Sequence, residues 1–181
     1  MVEFSRSYYV LTGGPGTGKT TLLNELGQQG YITVPEVARG IIKHQVLNKG
    51  TALPWANKKE YANLMWEASL LSYQNIYNTY VGDIVFFDRG ILDTICYMQM
   101  ENIPIKPEQE YFIKHSYYKK VFLLPPWEEI YKTDSERKQT WEEALYTYES
   151  MKRVYLAYNY DVIEVPKLSV EKRINFIREK L

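Results

Sequence analysis

Gly13-Gly14-Pro15-Gly16-Thr17-Gly18-Lys19-Thr20 is the stretch on which the reading of this chain turns. It satisfies every fixed position of G-x-x-x-x-G-K-[ST], the pattern of a phosphate-cradling P-loop. The glycines let backbone amides converge on phosphate oxygens where a side chain would block them. Lys19 is placed to reach the β- and γ-phosphates, and Thr20 to ligate Mg²⁺. Thr21 extends the nucleotide contact by one residue. A helix beginning at Gly18 would turn its positive end toward the anion. With glycine at ordinary usage, a chance match in a chain of this length has a probability of about 1%. The context also fits, since a β-prone run over 7–12 precedes the loop and a helical pattern follows it.

Outward from the loop, strands and helices alternate. Leu22, Leu23 and Leu26 give helical spacing over 19–29, closed by Gly30. Residues 31–34 read as a second strand. Pro35 can open a helix whose apolar stripe is Val37, Ile41, Ile42 and Val46. Tyr61, Leu64, Met65, Ala68 and Leu71 predict a long helix over 57–80. Asp83-Ile84-Val85-Phe86-Phe87 reads as a buried strand ended by Asp88-Arg89-Gly90. Helices over 91–100 and 108–116 follow, then a strand over 120–124 halted by Pro125-Pro126. A polar stretch leads to a helix carrying Trp141, Leu145, Tyr148, Met151 and Tyr155. A fifth strand over 161–165 and a final helix capped by Ser169 complete the chain. Such alternation predicts an α/β fold of three layers, a five-stranded parallel sheet with helices on both faces. The expected strand order is 2-3-1-4-5, with the ligand crevice at the carboxyl ends of the strands. No repeat or linker divides residues 1–181, so one domain is expected.

Composition narrows the partners. Twenty-two basic and twenty-two acidic residues cancel, which disfavours a nucleic-acid partner. Cys96 is the single cysteine, so no internal disulfide can form, and it is expected to pack in the core. No apolar run reaches the ~18 residues a membrane span needs, and Tyr8–Leu11 is too short for a signal-peptide core. The expectation is a cytoplasmic protein. His44 and His115 lie on helical stretches without ligand-like partners.

The remaining candidates fall at strand ends. Asp88 stands where P-loop proteins put an acid beside the Mg²⁺ shell, and it could equally cap the helix that follows. Arg89 could hold a substrate or phosphate oxygen, or form a surface ion pair. Glu36, directly after the second strand, faces the crevice where an acceptor hydroxyl would need its proton accepted; a first-turn acid favouring the helix dipole is the competing role. Arg39, one turn on, is either a clamp for an anionic acceptor or the partner of Glu36. Asp134-Ser135-Glu136-Arg137-Lys138 is either a basic lid segment, part of a lid over about 125–140, or a solvated charge run. Pro166 and Lys167, after the last strand, are placed to pack against a nucleobase.

The glycine loop, Glu36-x-x-Arg39, Asp88 and the segment Trp127-Glu128-Glu129…Asp134…Arg137 together resemble one P-loop family. It is the family shared by the ribosylnicotinamide kinase domain of NadR and the animal channel-translocation-defect protein. It is an AAA-type domain whose fold looks like that of nucleoside and thymidylate kinases. The resemblance spans about residues 5–181 and implies ATP or GTP binding with Arg137 in a lid. One departure is clear: Asp88-Arg89-Gly90 lacks the second acid of the ribosylnicotinamide kinase and is similar to the pairing in thymidylate and deoxynucleoside kinases.

Two functions follow. The first is a kinase in which Mg·ATP sits on the P-loop, Glu36 orients the hydroxyl of a small nucleoside-, nucleotide- or vitamin-like acceptor, and Arg137 with Lys19 stabilises the transferring group. The second is an ATP- or GTP-dependent switch module acting on a protein or lipid partner. A guanine-reading Asn-Lys-x-Asp is absent, the nearest approach being Asn57-Lys58-Lys59-Glu60.

Overall fold

A computed structural model describes residues 7–80, 83–115, 120–130 and 140–181. Segment 131–139 lies outside the described residues. With it go Arg137, the rest of the 134–138 charge run and the middle of the expected lid.

The sheet forms as the alternation predicts. Its strands are β1 (Ser7–Gly13), β2 (Ile32–Val34), β3 (Ile84–Asp88), β4 (Lys120–Leu124) and β5 (Asp161–Glu164). All neighbours pair in parallel, in the order β2-β3-β1-β4-β5. The helices are α1 (Lys19–Gln28), α2 (Val37–Leu47), α3 (Lys58–Thr79), α4 (Ile91–Met100), α5 (Pro107–His115), α6 (Trp141–Ala157) and α7 (Val170–Arg178).

Strand periodicity divides the core into two apolar layers. Tyr8, Val10, Val85, Phe87, Val121 and Leu123 face one side, where α3, α4 and α6 cover them. Tyr9, Leu11, Phe86, Phe122 and Leu124 face the other, against Leu22, Leu23 and Leu26 of α1 and Ile174 and Ile177 of α7. A parallel sheet covered on both faces needs such continuous apolar strands. Helix starts are fixed locally. The Asn57 side chain accepts from the Glu60 amide at 3.1 Å, and Thr140 and Glu143 form a reciprocal capping box. Ser169 does stand at the start of α7, but its side chain makes no capping bond.

One expected face is not buried. The apolar stripe of α2 contributes no buried residue, and Val46 is 57% exposed. The physical reason is its position. Helix α2 packs against α3 rather than across the sheet, and Val37, Ala38 and Ile42 line cavities. Part of its apolar stripe, Val37 and Ile42, borders cavity rather than core, and Val46 faces outward. No helix among the described residues is long and apolar enough to cross a membrane.

Candidate functional site

Strand β1 lies between β3 and β4, so the crevice opens where the chain leaves β1. Gly13 ends that strand at φ 149°, and a Cβ there would come within 2.7 Å of the Leu124 carbonyl. No other residue fits. The loop then closes on itself, the Thr17 hydroxyl donating to the Gly14 carbonyl at 3.0 Å. Gly18, at φ 80°, turns the chain into α1. Residues Gly14 to Thr21 line a cavity of about 930 Å³, whose opposite wall carries Arg39, Ile42 and Lys43 of α2 with Pro54 and Trp55.

A second cavity, of about 360 Å³, lies between α2, α3, α4 and α6. Its wall is mostly apolar, with Val34, Met65, Phe87 and Met151, and includes the hydroxyls of Ser69, Ser72 and Thr147. The two cavities share Pro15, Glu36, Ala38, Pro54, Tyr61 and Arg89. Glu36 and Arg89 therefore form a seam between them.

At this seam the candidate residues come together. Lys19, only 8% exposed, forms an ion pair with Asp88, the last residue of β3. Burial lowers the Lys19 ammonium and raises the Asp88 carboxyl, and their mutual attraction opposes both changes. Asp88 thus does not cap α4. Arg89 donates from Nε to Glu36 Oε1 at 2.8 Å and from Nη1 to Asp93 Oδ1 at 3.3 Å. Burial would lower this guanidinium, but Glu36, Asp93 and Asp88 outweigh it and hold Arg89 firmly charged. For Glu36, burial pushes the carboxyl up, while Arg89 and Lys19 more than offset it and keep it below the usual range. Glu36 therefore pairs with Arg89, not with Arg39, which is exposed on the wall of the larger cavity.

The backbone at this point is unusual. Arg89 has φ 67°, a left-handed conformation seldom taken by a branched-chain-free but long residue without a compensating fit. Its amide donates to the Leu11 carbonyl at 3.0 Å, extending the β1–β3 pairing by one residue. Gly90 follows because a Cβ there would meet Val10 Cγ2 at 2.8 Å.

No motif in the sequence marks Asp93, yet it organises the seam. It accepts from the Gly90 amide and the Tyr155 hydroxyl, both at 2.8 Å, from the Thr12 hydroxyl, and from Arg89. A local signal existed. Gly90 to Asp93 has the spacing of an N-terminal cap, and Arg89 to Asp93 is an i,i+4 pair. Tyr61 is the second omission. It is 4% exposed, borders both cavities, and its hydroxyl has no hydrogen-bond partner among the described residues. Burial, then the Glu36 charge, pushes that phenol up to about 12, so it stays protonated. Cys96 is buried in the wall of the smaller cavity, as a core thiol. Pro166 and Lys167 line neither cavity.

The residues present are chemically compatible with a magnesium nucleotide. Thr20 borders the larger cavity and Asp88 the smaller, two hard oxygen donors near the glycine-built loop.

Residues 8–173 match the family described as AAA domain. Among solved structures, NadR in complex with NR shares 18% identity over 97% of this chain, with a TM-score of 0.74. The chain spans about half of that protein, 51%. Deoxyadenosine kinase from M. mycoides, with dCMP and dCDP, shares 18% identity over 96% of this chain and 97% of its own, with a TM-score of 0.58. Thymidylate kinase from Candida albicans is 13% identical over 97% and 90% of the two chains, with a TM-score of 0.64. At these identities the likeness is one of fold. No curated protein matches the chain.

Proposed function

We propose that this chain, which belongs to the AAA domain family, is a small-molecule kinase. In this reading it transfers the γ-phosphoryl group of Mg·ATP to a hydroxyl of a nucleoside-, nucleotide- or vitamin-like acceptor. The observation that carries it is the pair of cavities meeting at Glu36 and Arg89, with Lys19 and Asp88 on the same seam. A switch module needs the first cavity but has no use for the second. The solved relatives named above include kinases of deoxyadenosine and thymidylate, which favours an acceptor of that size.

Each residue has a defined task. The P-loop amides and Lys19 hold the polyphosphate and offset the charge that builds on the transferring group. Mg²⁺, held by Thr20 and Asp88, would neutralise phosphate oxygens and fix their geometry. Binding of phosphate would draw Lys19 from its Asp88 partner, leaving that carboxylate available to hold the ion. Glu36 is ionised at neutral pH and depressed below the usual range. It is therefore a weak base. Its task is to hold the acceptor hydroxyl and take its proton as the new P–O bond forms. Arg89 keeps Glu36 in place, and Tyr61 offers a donor to the acceptor from the side. Arg39 stands where it can meet an anionic group in the larger cavity. Arg137 is assigned the lid role on sequence grounds alone. The remaining steps are positioning in a partly closed site.

The test is single-turnover transfer from γ-labelled ATP and GTP, with and without a small-metabolite extract, beside Lys19→Ala. Label on a small molecule, lost in the variant, supports the kinase reading. Label released only as free phosphate at an unaltered slow rate refutes it.

A further inference from the structure

Arg173 differs from every other described cation of this protein. It sits in the first turns of α7, 3% exposed, on the face that otherwise buries Ile174 and Ile177. Its Nη2 donates to the Thr17 carbonyl of the P-loop at 3.0 Å, across 156 positions of sequence. The guanidinium carbon lies 5.8 Å from the centre of the Trp127 ring. Among the described residues no carboxylate pairs with it and its Nε has no hydrogen-bond partner.

A buried charge without a counter-charge is costly, and a well-packed apolar residue would cost less. The Trp127 face returns only part of that through a cation–π contact. Burial alone acts on the guanidinium and lowers its affinity for the proton. Folding gives no reason for a cation here, since the surrounding layer is apolar. Among the described residues its one hydrogen bond is to the loop.

Peptide geometry supplies the reason. In a trans peptide the carbonyl and the following amide point in opposite directions. Holding the Thr17 oxygen on one side aims the Gly18 amide to the other, and Gly18 borders the larger cavity. We infer that Arg173 is a positioning residue for polyphosphate, fixing the Thr17–Gly18 peptide with its amide toward the anion while the bound anion supplies the negative charge that the guanidinium lacks. A charge-assisted bond to the carbonyl also polarises that peptide and strengthens its amide as a donor. Lys19 touches the phosphates directly, whereas Arg173 acts through the loop. The inference rests on the P-loop half of the kinase reading and is independent of any acceptor.

The experiment compares wild type, Arg173→Met and Arg173→Lys in two measurements. One is the Kd for inorganic tripolyphosphate with magnesium; the other is urea unfolding of the ligand-free chain. Arg173→Met should weaken tripolyphosphate about tenfold or more, as loss of a charge-assisted bond predicts. Its ligand-free unfolding midpoint should stay at or above wild type, because an uncompensated charge has been removed. Arg173→Lys should recover part of the affinity. Unchanged affinity overturns the inference. So does a ligand-free midpoint that falls together with affinity, or a Met variant that does not fold, since each makes Arg173 a brace for α7. A chain that binds tripolyphosphate through Arg173 but phosphorylates no acceptor sinks the kinase reading and leaves this one intact. Transfer with Arg173-independent affinity does the reverse.

Discussion

On the P-loop side of the seam the chain presents mainly backbone, and on the other side mainly side chains. The larger cavity is bordered by eight consecutive residues, Gly14 to Thr21, shaped by a single turn from strand to helix. The smaller one collects residues from α2, α3, β3, α4 and α6. In the kinase proposed above, the first surface would meet an anion through loop amides and Lys19, with Arg39 and Lys43 on the facing wall, and so would be nearly indifferent to what the anion is attached to. The second holds Glu36 against Arg89 and Arg89 against Asp93, an arrangement that would fix an acceptor's orientation in the proposed kinase. Generic binding is written in one stretch of chain, whereas specific placement needs a network spread over the fold.

If that division is real, substitutions on the two sides should separate by what they damage. Lys19→Ala should be the most severe. Loss of the cation aimed at developing phosphoryl charge should cut kcat by about 10²–10³-fold, and tripolyphosphate affinity should fall with it. Initial rates of label transfer and a direct binding titration together decide this. A Lys19→Ala protein that transfers label normally would place the chemistry elsewhere.

Glu36→Gln should come next, with kcat lower by about 10²-fold through loss of the proton acceptor. Tripolyphosphate affinity should move little, because the P-loop is untouched. Full kcat in this variant would reduce Glu36 to a residue that begins α2.

Asp93→Asn tests the network itself. Asp93 takes four hydrogen bonds and faces Arg89, so removing its charge should cost about 1–3 kcal/mol in urea unfolding. The acceptor KM should rise as Arg89 loosens. If tripolyphosphate affinity drops equally, the two halves of the site are one cooperative unit and the comparison fails.

The same contrast explains what could be read from sequence. The P-loop is contiguous and its pattern is stereochemical, so Gly13 to Thr20 and the strand–helix context stood out. The strand order came with the P-loop fold that the loop and the resemblance implied, since alternating apolar runs alone leave several right-handed orders open. Asp93 was overlooked because two of its four partners, Thr12 and Tyr155, lie 81 and 62 positions away. Arg173 has no local signal at all, since what it holds is 156 positions distant. The stripe on α2 misled in the opposite way. Periodicity marks a face as apolar but does not say that core covers it, and here Val46 stays 57% exposed while Val37 and Ile42 border cavities.

Tyr61→Phe should have the smallest effect and offers the cleanest separation of fold from function. The ring is part of the protein's packing, meeting Tyr97 edge-on with centroids 5.4 Å apart. The hydroxyl is not, since no described residue accepts from it. Deleting the oxygen therefore removes no protein contact, and the ligand-free unfolding midpoint should stay where it is or rise slightly. A substrate held by that O–H would lose one neutral hydrogen bond of about 1 kcal/mol. The acceptor KM should accordingly rise about fivefold with kcat nearly constant. A matched fall in kcat would mean that the phenol acts on the transferring group and belongs to the P-loop half of the seam. No change in KM would mean that the acceptor stays clear of Tyr61, leaving Glu36 and Arg89 as the contacts that set its orientation.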